Sequence, residues 1–264
     1  MAEINVVIQA RRPWYSVDFK ELISFRWVLV MLVVRDIKLR YKQTLLGALW
    51  VVLQPLLTAA LFSVIFGKEL FVFSFCGLVP WLFFSGALQR GSNSLIGDAK
   101  LITKVYFPRV YLPTSATLGM GIDFLIGLSV LFGLLILNGV PLTHKLFFVP
   151  AAILTLLLFS ISVNLLFSAA AVYFRDVKHI LPFLVQLWMF ASPLFYNVEI
   201  IPEPFRLLYC INPLVGIIEA FRYSFLGHAF PLFTFTLSTI LTLFLFLISV
   251  IVFQRVENNF ADSI

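Results

Sequence analysis

The residues of this chain that could do chemistry are few, and they form no recognisable catalytic pattern. His144, His179 and His228 are far apart and show none of the short spacings that bind a metal ion. The sequence has no G-x-x-x-x-G-K-[ST] stretch, so it contains no phosphate-binding loop for ATP. Glu199 and Glu203 lie four residues apart, but their segment is assigned below to the outer side of a membrane. The sequence therefore predicts no catalytic residue, no metal site and no enzyme.

Charged residues within apolar stretches are the next candidates. Asp123 interrupts a long apolar run, and a charge at the centre of a bilayer costs on the order of 3 kcal/mol or more. Such a residue can act in transport, or it can be protonated or hydrogen-bonded and fix its helix to a neighbour; we favour the second hypothesis. Glu219 and Arg222 lie three residues apart on a stretch predicted to be helical, a spacing at which opposite charges can pair.

The composition shows what kind of structure must position these residues. Hydrophobic residues make up 61% of the 264 and charged residues 12%, and the mean hydropathy is +1.01. A soluble protein carries about 25% charged residues, so this chain lacks the charge for a water-facing surface. The net charge of +6 does not indicate nucleic-acid binding, because basic residues are retained on the cytoplasmic segments of membrane proteins.

Six uncharged or nearly uncharged stretches are long enough to cross a bilayer, which takes roughly 20 residues. Lipid offers the backbone no hydrogen-bond partners, so each stretch is predicted to be a helix. The chain is thus predicted to be a single all-α membrane domain over residues 1–264. Its six spans are 44–67, 70–88, 110–137, 146–174, 180–198 and 232–253.

The basic residues predict the orientation. Of the 19 Lys and Arg residues, fifteen fall on one side of the six-span scheme. The remaining four, on the other side, are Lys68, Lys145, Arg206 and Arg222. The side rich in Lys and Arg is the cytoplasmic one, so both termini are predicted to be cytoplasmic.

The N-terminal segment 17–34 does not fit the scheme of spans. Its apolar run Trp27–Val34 covers only about 12 Å as a helix, so it cannot cross. With Asp18 as a possible N-cap and basic residues on both flanks, it is predicted to be an interfacial helix on the inner leaflet. The alternative is a tether without a functional role.

The segment 199–230 lies between the fifth and sixth spans, on the outer side. Its apolar pieces are too short to span and are interrupted by prolines, among them Pro202 and Pro213. Irregular backbone at membrane depth is tolerated where protein or water covers it. We therefore predict a re-entrant pair of helices, with a surface loop as the alternative.

A short segment between the second and third spans is also distinct. Leu101, Ile102, Val105 and Tyr106 would form one apolar face of a helix over residues 98–107, before Pro108. A short amphipathic helix can dock in a groove of a partner protein. The alternative is another interfacial helix.

Aromatic residues are abundant, with 30 Phe, 8 Tyr and 5 Trp. Sugar rings can stack on aromatic side chains, so an aromatic corridor would let a glycan slide through. Most aromatic residues of a membrane protein instead pack between helices or lie at the interfaces. The candidates for a corridor are Trp50, Trp188, Phe190, Phe195 and Tyr196.

Three long blocks carry a resemblance to the permease subunits of ABC-2 type polysaccharide exporters. They are RDIKLRYKQTLLGALWVVLQPLLTAALFSVIFG (35–67), WLFFSGALQRGSNSLIGDAKLITKVYFPR (81–109) and the stretch from YFRDVKHILPF to FRYSFLG (173–227). Members of that family export O-antigen, capsular polysaccharide or teichoic acid. One departure is that only Lys68, Glu69 and Leu70 separate Gly67 from Phe71, where relatives have a longer polar loop.

The resemblance implies a homodimer in the bacterial inner membrane, paired with two separate ATPase subunits that bind ATP and Mg. This chain itself would hold no cofactor. Its substrate would be an undecaprenyl-linked polysaccharide, with O-antigen favoured over the other polymers. Teichoic acid, or a drug or small lipid, is the alternative substrate. The implied roles are channel lining for the five aromatic residues and a gate at Pro202, Pro213, Glu219 and Arg222. ATPase coupling is implied for Asp98, Lys100, Leu101, Ile102, Lys104, Val105, Tyr106 and Phe107.

Overall fold

The computed structural model describes residues 19–42, 47–67, 70–141, 143–257 and 260. Its helices are α1 (Phe19–Ser24), α2 (Arg26–Tyr41), α3 (Gly47–Phe66), α4 (Leu70–Gly91), α5 (Ser94–Gly97), α6 (Ala99–Lys104), α7 (Tyr111–Gly119), α8 (Gly121–Leu137), α9 (Val149–Tyr173), α10 (Val177–Phe190), α11 (Glu203–Cys210), α12 (Pro213–Leu226) and α13 (Leu232–Glu257). Single 3₁₀ turns occur at His144–Phe148 and Val198–Ile200. No β-strand occurs among the described residues, in agreement with the predicted all-α class.

Four stretches of the described chain are long and apolar enough to cross a membrane. α11 and α12 pass the same test only as a pair bent by 96°, which would be a fifth. The four stretches correspond to the second, third, fourth and sixth predicted spans. The apolar parts of α3 and α10, which belong to the first and fifth predicted spans, are shorter than these four stretches. The four are Leu70–Gly91, Tyr111–Leu137, His144–Tyr173 and Leu232–Glu257.

The prediction of one helix over 180–198 is wrong in its second half. α10 ends at Phe190, and an irregular loop of residues 191–197 follows. Pro193 explains this end, because proline has no amide hydrogen and disfavours a helical conformation at the preceding Ser192. With 14 residues, α10 is about 21 Å long, shorter than the roughly 30 Å of a hydrocarbon core.

The N-terminal helices also differ from the predicted interfacial segment. Two helices replace the single one, with a break at Phe25, and α2 continues beyond the predicted end at Val34 to Tyr41. The predicted cap, Asp18, lies outside the described residues. The added part of α2 carries Arg35 and Arg40, which form ion pairs with Asp98 and Asp123 on other elements.

α4 contributes many residues to the larger of two hydrophobic clusters within the described part of the chain, and most of its side chains from Phe73 to Leu88 are buried. Small residues allow its neighbours to approach closely, as is common between membrane helices. A Cβ on Gly77 would contact the backbone of Leu194 at 3.4 Å. The second cluster joins α2, α6, α7 and α13 through Leu32, Ile102, Tyr111 and Phe253. Among the described residues, Arg35, Arg40, Lys100, Lys104 and Arg109 lie on or beside the elements of this second cluster, here called the basic end.

Candidate functional site

The junction between α11 and α12 is built around the side chain of Asn212. Its Oδ1 accepts a hydrogen bond from the amide of Leu214 at 3.2 Å, which caps α12. The same oxygen accepts from Nε1 of Trp188 at 3.0 Å. Its Nδ2 donates to the carbonyl of Ala191 at 2.9 Å and to Oγ of Ser192 at 3.1 Å. One amide therefore starts α12 and ties it to the end of α10.

Arg222, in the middle of α12, is fully buried. Its Nη1 lies 2.8 Å from Oε1 of Glu219, which confirms the predicted pair. Its Nη2 donates to the carbonyl of Leu194 at 3.1 Å, and Nη1 lies 3.5 Å from the carbonyl of Tyr196. The guanidinium carbon lies 3.5 Å from the ring centre of Phe73, a cation–π contact. Arg222 thus holds the loop of residues 191–197 against α12.

The end of α12 is held from a third element. Gly227 terminates the helix with a positive φ of 75°, which favours glycine. Nζ of Lys145 donates to the carbonyl of Gly227 at 2.6 Å and to that of His228 at 3.1 Å. A cation is favourable at the C-terminus of a helix. α12 is consequently fixed at its start, its middle and its end.

α11 is less firmly attached than α12. Phe205, Leu207 and Leu208 are all more than half exposed. The hydroxyl of Tyr209 lies 2.9 Å from that of Tyr196 and links α11 to the loop of residues 191–197. The predicted gate prolines flank the helix: Pro202 precedes α11, and Pro213 is the buried first residue of α12. The bent pair therefore combines a fixed helix with a more loosely held one.

The five aromatic residues predicted to line a channel fall into two groups. Trp50 and Phe190 are 56% and 58% exposed. The other three are partly buried and engaged within the chain: Trp188 packs edge-on against Phe84 and Phe159, Phe195 stacks on Phe62, and Tyr196 bonds Tyr209. The channel-lining role remains a prediction for all five, with the two exposed rings the most available to a ligand.

Charged side chains from three elements meet at the basic end. Arg35 on α2 donates to both carboxylate oxygens of Asp98, at 3.0 and 2.6 Å. The same guanidinium contacts Asp36 at 2.9 Å. Burial lowers the pKa of Arg35, but the hydrogen bonds and charges of the two carboxylates outweigh burial and raise it. Arg35 is therefore a permanent cation shared by two acids.

Asp123 is paired by the last turn of α2. Nη1 of Arg40 lies 2.5 Å from Oδ2 of Asp123, and the hydroxyl of Tyr41 donates to Oδ1. Burial, with the bond to Asp123, raises the pKa of Tyr41 to about 12, so the phenol keeps its proton. These contacts confirm that Asp123 fixes its helix to a neighbour. A break at Met120 places Asp123 in the first turn of α8, where the helix dipole favours an acid.

The segment 98–107 is helical only from Ala99 to Lys104, and Val105 is already extended. Its predicted apolar face is also divided, which corrects the proposed single docking face. Leu101 and Ile102 pack into the second hydrophobic cluster, as does Phe107. Lys100, Lys104, Val105 and Tyr106 are exposed. Tyr106 also anchors the segment, because its hydroxyl donates to Glu21 at 2.7 Å and its ring packs edge-on against Phe25. Lys100, Lys104 and Val105 are exposed side chains that a partner could touch.

Sequence reasoning missed Arg35, Arg40, Tyr41 and Asn212. We name Arg35, Asp36, Arg40, Tyr41, Asp98 and Asp123 the charged cluster. The local signal for it was the run RDIKLRY in α2, which carries more charge than an interfacial anchor needs. Asn212 had a signal in the pair Asn-Pro, which favours a helix start at the proline.

Most of this chain matches a known protein family. The model of the family described as "ABC-2 type transporter" matches residues 28–226, well over half of the chain. This chain belongs to the ABC-2 type transporter family. The match runs from the first turn of α2 to the end of α12, so both the charged cluster and the bent pair lie within the family region.

Individual proteins similar to this chain have names that describe export or transport. The chain is 32% identical over 222 residues to the "O-antigen export system permease protein RfbA" of Myxococcus xanthus, covering 80% of this chain and 85% of that protein. A Klebsiella pneumoniae protein of the same name is 27% identical, covering 89% of this chain and 94% of that protein. The "Polysialic acid transport protein KpsM" of Escherichia coli is 25% identical, covering 81% and 88%.

Proposed function

We propose that this chain is the membrane-spanning permease subunit of an ATP-driven exporter that moves a lipid-linked polysaccharide out of the cytoplasm. O-antigen is the polysaccharide that we favour as its substrate. The observation that carries the proposal is the 32% identity, over most of both chains, to a protein named an O-antigen export permease. A second relative is named for polysialic acid transport, so polysaccharide is the substrate class that the relatives share.

The proposed arrangement has six spans, with α11 and α12 as a re-entrant pair. Lys145, in the 3₁₀ turn just before the long helix α9, contacts the end of α12. We therefore place the end of α12 at the face opposite the basic end. α13 returns from that face, because Glu257 at its other end contacts Arg109. The bend between α11 and α12, at Asn212, contacts Ala191 at the end of α10. A pair that enters and leaves at the same face accounts for these contacts.

The conduit would be lined by α3 and α10, whose exposed rings Trp50 and Phe190 can stack on sugars. One chain supplies only one wall, and a second copy of the chain would supply the other. The homodimer, the undecaprenyl-type lipid and the inner-membrane location with cytoplasmic termini belong to the same proposal.

ATP hydrolysis belongs to two partner ATPase subunits, which would bind ATP and Mg. The sequence of this chain has no phosphate-binding loop of its own. The exposed side chains of the segment 98–107 offer the partner a contact surface: two lysines, Lys100 and Lys104, beside Val105 and Tyr106. Their neighbours Ile102 and Phe107 anchor the segment to the permease, so force on it reaches the membrane helices.

Deletion of the gene tests the proposal. We expect undecaprenyl-linked polymer to accumulate inside the cell and to disappear from the surface, with both effects reversed by the wild-type gene on a plasmid. The measurement is extraction of lipid-linked glycan from spheroplasts, together with surface labelling of the polymer. If the deletion strain instead loses resistance to a drug, or loses a small lipid from its surface, and accumulates no polymer inside, the protein is an exporter of small amphiphiles.

A further inference from the structure

Two pairs of charges connect α2 to the rest of the basic end, and they connect it to different elements. Arg35 binds Asp98 in the segment that the ATPase would contact, and Arg40 binds Asp123 at the start of α8. We propose that α2 transmits movement of this ATPase-contacting segment to the membrane helices, and that Arg35 and Arg40 are the positioning residues of this link. The inference rests on the proposed function of the chain as a permease driven by an ATPase.

The first pair has a geometry that transmits orientation as well as distance. Nη1 and Nη2 of Arg35 reach Oδ1 and Oδ2 of Asp98 at 3.0 and 2.6 Å, a two-pronged contact. Asp98 lies between α5 and α6, so a movement of either short helix also moves Asp98. Nε of Arg35 also donates to Asp36 at 3.1 Å, which holds the guanidinium plane in place. A lysine could supply the charge but not the fork.

The second pair is more deeply buried. The side chains of Arg40 and Asp123 are only 9% and 16% exposed, and their ion pair measures 2.5 Å. Tyr41 supplies a hydrogen bond to the other carboxylate oxygen. Arg40 follows Arg35 by five residues, about 7.5 Å along a helix. Since both arginines stand on one continuous helix, a displacement at Asp98 reaches Asp123 through α2.

α2 has the support that this role requires. Its buried Leu32 packs into the second hydrophobic cluster, and Oγ of Ser115 on α7 donates to Asp36 at 3.3 Å. An open groove of about 200 Å³ lies beside the network, bordered by Asp36, Arg40, Arg90, Ser94 and Asp98. The charged side chains thus border open space, whereas Leu32 holds α2 through apolar packing.

The test compares single and double variants of the intact complex of this chain with its ATPase. We expect Arg35→Gln and Asp98→Asn each to lower polymer exported per ATP hydrolysed by about fivefold or more, the size of a typical coupling between sites. The double variant should lose less than the sum of the two single variants, because residues that contact each other in one ion-pair network have non-additive effects. The pair Arg40→Gln and Asp123→Asn should behave in the same way.

Two further variants separate coupling from stability. Lys38→Gln changes a charge on the same helix, and Lys38 is exposed with no side-chain hydrogen bond among the described residues, so its export per ATP should equal that of the wild type. Arg35→Lys retains the charge but not the fork, and it should assemble normally while exporting less per ATP. Co-purification of the ATPase with each variant measures assembly.

Wild-type export per ATP in Arg35→Lys and Asp98→Asn, or additive losses in the double variants, would overturn the role of α2. A wild-type complex that neither exports polymer nor hydrolyses ATP would reject the proposed function instead. The two failures are therefore distinguishable in one set of preparations.

Discussion

At the scale of single residues, Arg222 illustrates how a buried charge is accommodated. Its cation has a carboxylate, two backbone carbonyls and an aromatic face as neighbours, and no exposed surface. Removal of one member of a buried ion pair leaves the other uncompensated, which costs more than the pair contributes. Arg222 is therefore needed for the folded state of the bent pair, whatever its role in transport.

Arg222→Met should destabilise the protein by about 3–5 kcal/mol, because Glu219 and the carbonyl of Leu194 lose their partner. The temperature at which detergent-solubilised protein aggregates measures this effect. Arg206→Met is the matched control, since Arg206 is partly exposed and its hydrogen bonds among the described residues go to backbone carbonyls of the preceding turn. Equal aggregation temperatures for the two variants would contradict the assignment.

At the scale of helices, the contact between α12 and α13 depends on Gly216. A Cβ at this position would lie 2.3 Å from the carbonyl oxygen of Thr234 and 2.3 Å from Oγ of Ser238. The first of these is backbone and cannot rotate away. Small residues permit such close helix approach in membranes, where packing rather than water exclusion drives association.

Gly216→Ala should separate α12 from α13 and destabilise the protein by about 1–3 kcal/mol, as overpacking does elsewhere. The control is Gly133→Ala on α8, where a Cβ would meet nothing within 4 Å. That variant should match or slightly exceed wild-type stability, because alanine favours the helix. The measurement is the temperature at which each variant aggregates in the same detergent. A Gly216→Ala variant that aggregates at the wild-type temperature would contradict the close contact.

At the scale of the whole molecule, charge is distributed unevenly between the two ends. The charged cluster, Arg109 and the exposed lysines of α6 lie at one end, while Lys145 and Arg206 lie at the other. The positive-inside rule then gives the proposed orientation. Cys76 and Cys210 are free and buried, so they interfere little with labelling of introduced cysteines.

Thr143→Cys should react with a membrane-impermeant thiol reagent in intact cells, because the exposed Thr143 lies beside the start of α9, at the face proposed to be the outer one. Lys178→Cys, at the start of α10, should react only after the membrane is opened. The two variants serve as controls for each other. Reaction of both in intact cells would contradict the six-span orientation.

The success of the sequence predictions depended on how local each interaction is. The pair Glu219–Arg222 is three residues apart on one helix, so its spacing alone predicted it. A lone acid in an apolar run predicted that Asp123 is fixed to a neighbour, but not that the neighbour is Arg40 on α2. The end of α10 had a visible signal in Pro193, although apolar composition outweighed it in the prediction.

The sequence by itself determined the membrane class, the all-α structure, four long spans and the basic end, because composition and backbone hydrogen bonding in lipid leave few alternatives. It also carried the family resemblance. Only the tertiary structure decided which charges meet, since Arg35 and Asp98 are 63 residues apart and Arg40 and Asp123 are 83 apart. Such pairs form where helix packing brings them together, and the chain has no local pattern for that packing.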